Sequence, residues 1–289
     1  MQHRIPRLLS IAGSDSGGGA GIQADLKAFA ACGVHGMTAV TAITAQNTVG
    51  VSAVHAVPPE VIVAQVRAVE SDVGVDAAKI GMLGDLTTIE AVARALDELD
   101  PQTPVVLDPV MVAESGAALL DPSAREGLVE LLLPRAMVAT PNVPEAMALA
   151  GGKVDAAGAG STLDGADAGA LARAVHKLGP GCVVVTGGHR DQATDLFFDG
   201  EALVELPGER HPDGAAHGSG CTHSSVLAAR LAWGDSPLEA ARIAKELASR
   251  AIAEGLQEIG AGAGPVDVLG IRHAAYAAVP TASRRAQLL

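Results

Sequence analysis

The sequence predicts an α/β protein whose mostly parallel central sheet carries helices on both faces. Short apolar segments, such as residues 8–12 and 182–185, alternate along the chain with longer segments of helical periodicity. This alternation is typical of parallel sheets that are covered on both sides. In addition, glycines and polar residues follow the predicted strands, and ligands of such sheets bind beyond the carboxyl ends of the strands.

The individual elements are predicted from apolar periodicity and from the turn residues between them. Strands are predicted at residues 8–12, 34–43, 76–80, 104–107, 137–139 and 182–185, and a hairpin at 196–198 and 202–206. Helices are predicted at residues 22–31, 58–69, 87–99, 122–133, 170–178, 226–233 and 236–256. In the first helix, Ile22, Leu26 and Phe29 share one face. Thr87 or Thr88 is predicted to cap the third helix.

Bulk properties indicate one globular domain over residues 1–289, with a surface loop at 151–169 and a disordered tail from about residue 275. The net charge of −13, without a Lys/Arg run longer than a pair, argues against nucleic acid or an anionic membrane as partner. Aromatic residues make up 2% of the chain, which argues against base-stacking platforms. Three cysteines make no disulfide framework, and we find neither an export signal nor an apolar run of membrane-spanning length. We therefore expect a cytoplasmic protein.

The stretch 217–225 has the composition of an anion-binding turn. Gly218, Ser219 and Gly220 precede the apolar periodicity of a predicted helix. The N–H groups at a helix start lack helical partners and carry partial positive charge, so they bind anions. The same field is expected to lower the pKa of Cys221. The alternative is an ordinary glycine-rich turn beside a buried cysteine.

A second glycine-rich loop, residues 13–21, follows the first predicted strand. Strand, glycine loop and helix also occur in dinucleotide-binding folds. The acidic residue expected after the next strand is missing, however, because residues 45–48 read Ala-Gln-Asn-Thr. Polar residues and glycines at several strand ends share one predicted edge of the sheet, which predicts one composite ligand site. These residues are Gly13, Asp15, Gln46, Asp108, Asn142 and Glu145.

Several collinear segments together resemble one family. The segments are residues 13–27, 41–48, 79–83, 107–111, 140–146 and 217–222. In order and spacing, over about residues 7–256, they resemble the hydroxymethylpyrimidine/phosphomethylpyrimidine kinases of thiamine biosynthesis. The resemblance implies the ribokinase-like fold, a three-layer α/β/α sandwich. It also implies a homodimer that uses ATP and Mg²⁺ to phosphorylate 4-amino-5-hydroxymethyl-2-methylpyrimidine and then its monophosphate.

The resemblance further implies roles for individual residues. The implied catalytic residues are Cys221, as the base for the substrate hydroxyl, and Gly218, Ser219 and Gly220, as the anion hole. The implied pyrimidine contacts are Gly13, Asp25, Gln46, Met82 and Val110. The implied nucleotide contacts are Thr186, Ser219 and Lys245, and the implied Mg²⁺ ligands are Asp108, Asn142 and Glu145.

Each assignment has a structural alternative. Asp25 could simply favour a helix N-terminus, and Met82 could be core packing. Asn142 with Glu145 also fits a helix cap with its acidic first turn. Lys245 could lie on a solvated helix face.

Two other functions stay open. A subset of relatives with the cysteine phosphorylate vitamin B6 alcohols, so a pyridoxal/pyridoxine kinase is one alternative. The other is a pyrimidine-binding protein with weakened catalysis. It is motivated by Thr186, because many relatives have at this position a lysine that helps to neutralise nucleotide phosphates. His189, Arg190 or a stronger reliance on Mg²⁺ would then have to compensate.

Overall fold

The computed structural model of the chain describes residues 4–151, 167–187 and 193–273. Most of the loop predicted at 151–169 lies outside these ranges, and so do the predicted tail, His189 and Arg190. None of the helices in the described ranges combines the length and the apolar character that a membrane span requires.

Ten strands are described. They are β1 (Arg7–Ala12), β2 (His35–Val40), β3 (Ala42–Asn47), β4 (Gly50–Ala56), β5 (Ala77–Ile80), β6 (Val105–Leu107), β7 (Val138–Ala139), β8 (Cys182–Val185), β9 (Asp195–Phe198) and β10 (Leu203–Leu206). Eight of them form one sheet in the order β10-β9-β8-β7-β6-β5-β1-β2, while β3 and β4 pair separately. In this eight-stranded sheet, the neighbouring strands β2, β1, β5, β6, β7 and β8 are parallel to one another. Strand β9 is antiparallel to β8 and to β10. The carboxyl ends of six strands therefore meet at one edge of the sheet.

Helices cover both faces of this sheet. They are α1 (Gly21–Ala31), α2 (Pro59–Asp72), α3 (Leu86–Leu96), α4 (Arg125–Gly127), α5 (Val143–Leu149), α6 (Ala168–His176), α7 (Ser219–Ala232) and α8 (Pro237–Ala253). Successive strand residues point to opposite faces. Leu8 therefore belongs to the apolar layer that contains residues of α1, α7 and α8, and Leu9 belongs to the layer that contains residues of α2, α3, α5 and α6. These two apolar layers confirm the predicted three-layer α/β/α sandwich with a mostly parallel sheet.

The structure differs from the prediction where a strand is exposed on both sides. The strand predicted at 34–43 is two strands, because the chain leaves the main sheet at Thr41 and β3 pairs with β4 instead. The sequence analysis missed β4, whose residues are half-buried or exposed and therefore lack apolar alternation.

Two helix starts and one helix interior also differ. Asp85, rather than Thr87 or Thr88, caps α3, because its carboxylate accepts the Thr88 N–H at 2.8 Å. The helix predicted at 122–133 is a short 3₁₀ turn, α4 and a π-helical turn at Leu128–Leu132. The helix predicted from residue 226 begins seven residues earlier, as α7, and this places Cys221 in its first turn.

Candidate active site

A cavity of about 240 Å³ opens at the carboxyl edge of the parallel strands. Residues directly after β1, β5, β6, β7 and β8 line it, together with the first turn of α7 and one face of α8. The structure brings most of the predicted site residues together here. They are Gly13, Gln46, Met82, Asp108, Val110, Asn142, Glu145, Thr186, Gly218, Ser219, Gly220, Cys221 and Lys245. Asp15 and Asp25 are the exceptions, because neither side chain lines the cavity.

Asp15 holds together the loop between β1 and α1. Its carboxylate accepts hydrogen bonds from the N–H groups of Gly17 at 2.8 Å, Gly19 at 3.0 Å and Ala20 at 2.8 Å. His217 Nε2 lies 2.8 Å from Asp15 Oδ2. Burial alone would raise the pKa of Asp15, but the bonds from His217 and the backbone lower it overall. An ionised Asp15 therefore ties the two glycine-rich loops to each other.

The second loop ends at Gly218, which is the N-cap of α7. Gly218 has φ +83°, a left-handed conformation that favours glycine. The Ser219 N–H donates to the Ala216 carbonyl at 3.0 Å and is therefore not available to an anion. The predicted anion contact of Ser219 would have to come from its hydroxyl. Gly220 and Cys221 follow in the first turn of α7, where N–H groups lack helical acceptors. Their N–H groups form the candidate anion hole.

Cys221 borders the cavity with a half-buried side chain. Burial raises the pKa of its thiol to about 12; the ammonium of Lys79 acts in the opposite direction, and the carboxylates of Asp25 and Asp108 act with burial. The expectation of a lowered pKa for Cys221 is therefore wrong, because desolvation and the two carboxylates outweigh the charge of Lys79 and the backbone N–H of Gly21. The thiol is neutral near pH 7.

Asp25 lies beneath the cavity and is fully buried. Its Oδ1 accepts hydrogen bonds from Lys79 Nζ at 2.9 Å and from Ser225 Oγ at 2.8 Å. Its Oδ2 accepts a bond from Ser10 Oγ at 2.6 Å. The structure thus differs from the predicted pyrimidine contact, because protein groups already bind both carboxylate oxygens. Asp25 therefore affects the cavity indirectly, by binding the ammonium group of Lys79.

Lys79 comes from the middle of β5 and reaches the cavity floor with a side chain that is 0% exposed. Burial alone would lower its pKa, but the charge of Asp25, that of the Cys221 thiolate where it forms at high pH, and that of Asp108 raise the pKa of Lys79 above its ordinary value. A permanent positive charge therefore lies beneath the start of α7. No role was predicted for Lys79, although a lysine inside the apolar run Ala77–Ile80 is a signal that a buried partner exists.

The apolar end of the cavity contains the other predicted pyrimidine contacts. The Gly13 N–H donates to the Met82 carbonyl at 3.1 Å, and the Gly13 carbonyl accepts the Ile22 N–H at 3.0 Å. Gly13 therefore offers close approach rather than a free polar group: a Cβ there would lie 3.0 Å from Met82 Cε. Met82 is both core and cavity wall, and the half-buried Gln46 and Val110 complete this end.

Asn142 and Glu145 form a capping box at the start of α5. Asn142 Oδ1 accepts the Glu145 N–H and Glu145 Oε2 accepts the Asn142 N–H, both at 2.9 Å. Glu145 Oε1 also accepts the Met111 N–H at 3.3 Å. The helix-cap alternative considered for this pair is therefore present in the structure. A capping box leaves further oxygen lone pairs on both side chains, so it does not exclude a metal role.

The donor set nevertheless suits Mg²⁺. Burial, followed by the charge of Asp108, raises the pKa of Glu145 to about 8, and burial also raises the pKa of Asp108. Two neighbouring buried carboxylates and the Asn142 amide are hard oxygen donors of the kind that Mg²⁺ binds. Among the described residues, no three His, Cys, Asp or Glu side chains converge on one metal position. A cation would therefore need ligand phosphate oxygens to complete its shell.

The opposite end of the cavity contains Thr186, Lys245 and two residues that the sequence analysis missed. Asp195 Oδ1 accepts a hydrogen bond from Lys245 Nζ at 2.7 Å and from the Gly187 N–H at 2.8 Å. His223 Nε2 lies 3.6 Å from Asp195 Oδ2. A sequence signal exists for Asp195, a carboxylate directly before the strand predicted at 196–198, but not for His223, which lies outside the helix predicted from residue 226.

Comparison with known proteins shows the family of the chain. The family model for phosphomethylpyrimidine kinase matches residues 15–267. The hydroxymethylpyrimidine/phosphomethylpyrimidine kinase of Rhizobium meliloti is 51% identical over 261 residues, which cover 89% of this chain and 95% of that protein.

Two solved structures share the fold. The phosphomethylpyrimidine kinase of Clostridium difficile is 38% identical with a TM-score of 0.72, and the match covers 86% of this chain and 100% of that one. The pyridoxal kinase of Staphylococcus aureus in complex with ADP is 34% identical with a TM-score of 0.80, and the match covers 92% of this chain and 94% of that one.

Proposed function

Because the chain belongs to the phosphomethylpyrimidine kinase family, we propose that it transfers the γ-phosphoryl group of ATP to 4-amino-5-hydroxymethyl-2-methylpyrimidine and then to the resulting monophosphate, in thiamine biosynthesis. The observation that carries this proposal is that one cavity contains three chemically different regions. One end is apolar with an amide, the middle is the start of α7, and the other end holds Lys245.

The apolar end accepts the pyrimidine. The Gln46 amide has both a donor and an acceptor, as an aminopyrimidine edge requires. Met82 and Val110 provide the walls against which the ring packs. Bound in this way, the ring presents its hydroxymethyl group to Cys221 in the middle of the cavity.

The start of α7 performs the transfer. The substrate oxygen forms a bond to the γ-phosphorus while the bond from that phosphorus to ADP breaks. Phosphoryl transfer needs positioning and charge neutralisation more than a strong base. The N–H groups of Gly220 and Cys221, with the buried charge of Lys79, stabilise the equatorial oxygens. Because the Cys221 thiol is neutral, its sulfur accepts the hydrogen bond of the hydroxyl, whose proton passes to a phosphoryl oxygen.

The remaining side chains bind the donor. Lys245 and Thr186 contact the nucleotide from the end opposite the pyrimidine. Asp108, Asn142 and Glu145 would hold Mg²⁺ against its phosphates. When bound, the ion neutralises phosphate charge and fixes the donor in line.

The test is a measurement of ADP release with ATP and Mg²⁺ and one of three acceptors: the hydroxymethylpyrimidine, its monophosphate, or pyridoxal. We expect turnover with both pyrimidines and a much lower kcat/KM with pyridoxal. Preference for pyridoxal would establish the vitamin B6 alternative. Tight pyrimidine binding without ADP release would establish a binding protein instead.

We further propose that the protein acts in the cytoplasm as a homodimer. Three free cysteines support a reducing compartment. The two-stranded sheet β3–β4 supports an association surface, because Ile43 and Val54 are more than half exposed on it, at 57% and 54%. Sedimentation velocity tests the dimer, and a monomer at micromolar concentration would contradict it.

A further inference from the structure

His223 is buried and has no hydrogen-bond partner among the described residues. It lies in α7, two residues after Cys221, and is 4% exposed. In the described part of the chain, neither ring nitrogen has a hydrogen-bond partner. The nearest carboxylate oxygen, Asp195 Oδ2, is 3.6 Å from Nε2, which is too long for a hydrogen bond. The ring nevertheless borders the cavity.

An imidazole in this state is costly. Leaving a buried donor or acceptor without a partner costs about 1–3 kcal/mol, and nearly all buried polar groups in proteins are hydrogen-bonded. Because His223 faces the cavity, its missing partner is best supplied by a ligand that enters there.

The surroundings identify the chemistry of that ligand. The charged groups that face the ring are Asp195, at the start of β9, and Lys245, from α8. Lys245 Nζ is bound to the other oxygen of the same carboxylate. Burial lowers the pKa of His223, Asp195 opposes this and Lys245 adds to it. The free ring is therefore neutral, with one N–H to donate.

We propose that His223 binds the phosphate chain of the nucleotide, with its ring N–H donating to a non-bridging phosphate oxygen beside Lys245. The inference rests on the proposed function, because it takes a nucleoside polyphosphate as the occupant. A phosphate fits better than a neutral group, since the ammonium group of Lys245 and the first turn of α7 border the same cavity as the ring. Asp195 positions both contacts.

Nucleotide binding then favours protonation of the ring. A phosphate anion near His223 stabilises the imidazolium and raises the pKa of His223 in the complex. By linkage, ADP binds more tightly as the pH falls towards the pKa of the free ring. Without the ring, the part of this pH dependence that comes from His223 disappears.

The test uses ADP with Mg²⁺ and isothermal titration calorimetry. His223→Leu should raise the Kd for ADP about tenfold, while His223→Gln, which keeps a donor, should stay within about threefold. The KM for the pyrimidine should not change. His35→Leu is the matched control, because His35 is exposed at the amino end of β2, and it should leave the Kd unchanged. An unchanged Kd in His223→Leu would overturn the proposal and leave a buried water as the partner.

A second measurement does not depend on variants that fold. In the wild-type protein, ADP should shift the ¹⁵N resonances of the His223 ring and raise its pKa. Resonances that do not move would also overturn the proposal. This outcome can be told apart from a failure of the proposed function. If the protein binds ADP through His223 but phosphorylates no alcohol, the proposed function is wrong and the role of His223 still holds.

Discussion

Lys79 and His223 are both buried beside a carboxylate at the floor of one cavity, but their surroundings differ. Lys79 Nζ lies 2.9 Å from Asp25 Oδ1, and that carboxylate also accepts bonds from two serine hydroxyls. His223 makes no hydrogen bond with any residue that the structure describes, and it lies 3.6 Å from the oxygen of Asp195 that it faces. We call the first group, Asp25 with Lys79, the closed cluster, and the second, Asp195 with His223 and Lys245, the open cluster.

The difference separates preorganisation from ligand binding. In the closed cluster the protein satisfies every charge before a ligand arrives, so the charge under the anion hole needs no rearrangement during the reaction. In the open cluster part of the hydrogen bonding is left for the ligand. Substitutions in the closed cluster should therefore change stability first, and those in the open cluster should change nucleotide affinity first.

Lys79→Met should have the largest effect on stability. It leaves the Asp25 carboxylate buried and without its counter-charge, which costs about 3–5 kcal/mol. Lys79→Met with Asp25→Asn should recover much of this loss, because the remaining amide is neutral. Urea unfolding followed by circular dichroism measures both.

A surface pair provides the control. Arg67 and Glu98 form an exposed salt bridge, with Arg67 63% exposed. Such pairs contribute little, so Arg67→Met should leave the urea midpoint unchanged within error. If Lys79→Met were as stable as Arg67→Met, the closed cluster would not be a preformed structural unit.

Cys221→Ala should lower kcat about tenfold, because the substrate hydroxyl loses the sulfur that accepts its hydrogen bond, and one such bond contributes about 1 kcal/mol. Its KM for the pyrimidine should change little, because the apolar end and Gln46 stay intact. Steady-state ADP release measures both constants. Wild-type turnover in this variant would remove Cys221 from the mechanism.

The pKa of Cys221 predicts the pH dependence of its alkylation. Because that pKa is about 12, the thiolate fraction rises about tenfold per pH unit below this value. The rate of iodoacetamide labelling at Cys221 should therefore rise about 100-fold from pH 7 to pH 9. Peptide mapping by mass spectrometry follows the rate at this residue alone. A plateau near pH 8 would mean that the helix field controls the thiol after all.

Gly218 and Gly220 should respond differently to the same substitution. Gly218→Ala places a Cβ at φ +83° against the backbone of Gly19, so we expect a loss of about 2 kcal/mol. Gly220→Ala should be tolerated, because the nearest atom to its Cβ is Asp108 Oδ2 at 4.0 Å and alanine favours a helix. Thermal unfolding compares the two. Equal losses would show that the left-handed cap is not the reason for glycine at 218.

These glycines also show how far the sequence leads. The motif identified an anion-binding turn, but Gly218 and Gly220 look equivalent until the backbone angles are known. The strand-end rule placed Gly13, Asp108 and Asn142 correctly at one edge, because parallel strands must end together. It could not show which side chains reach the cavity and which lie buried beneath it.

The position of a side chain relative to the cavity explains why Asp25 was misassigned and His223 was missed. Asp25 lies on the face of α1 that turns towards β5, so its carboxylate meets Lys79 instead of the cavity. His223 follows from the unpredicted early start of α7, which turns residue 223 towards Asp195. Both contacts join segments that are far apart in sequence, and only the folded chain brings them together.

Glu145→Gln tests whether the metal side belongs with the closed or with the open cluster. The substitution keeps one acceptor for the capping box but removes the carboxyl group, which has a pKa of about 8 and gains its charge when a cation displaces the proton. We expect the Mg²⁺ concentration for half-maximal rate to rise several-fold, with less than about 1 kcal/mol lost in stability. Ser236→Ala is the control, because Ser236 caps α8 through the Glu239 N–H at 3.3 Å and has no part in the cavity. It should lose a similar stability and keep the Mg²⁺ curve. If Glu145→Gln also keeps that curve, then Asn142 and Glu145 form a cap alone, and the metal side is as closed as Asp25 with Lys79.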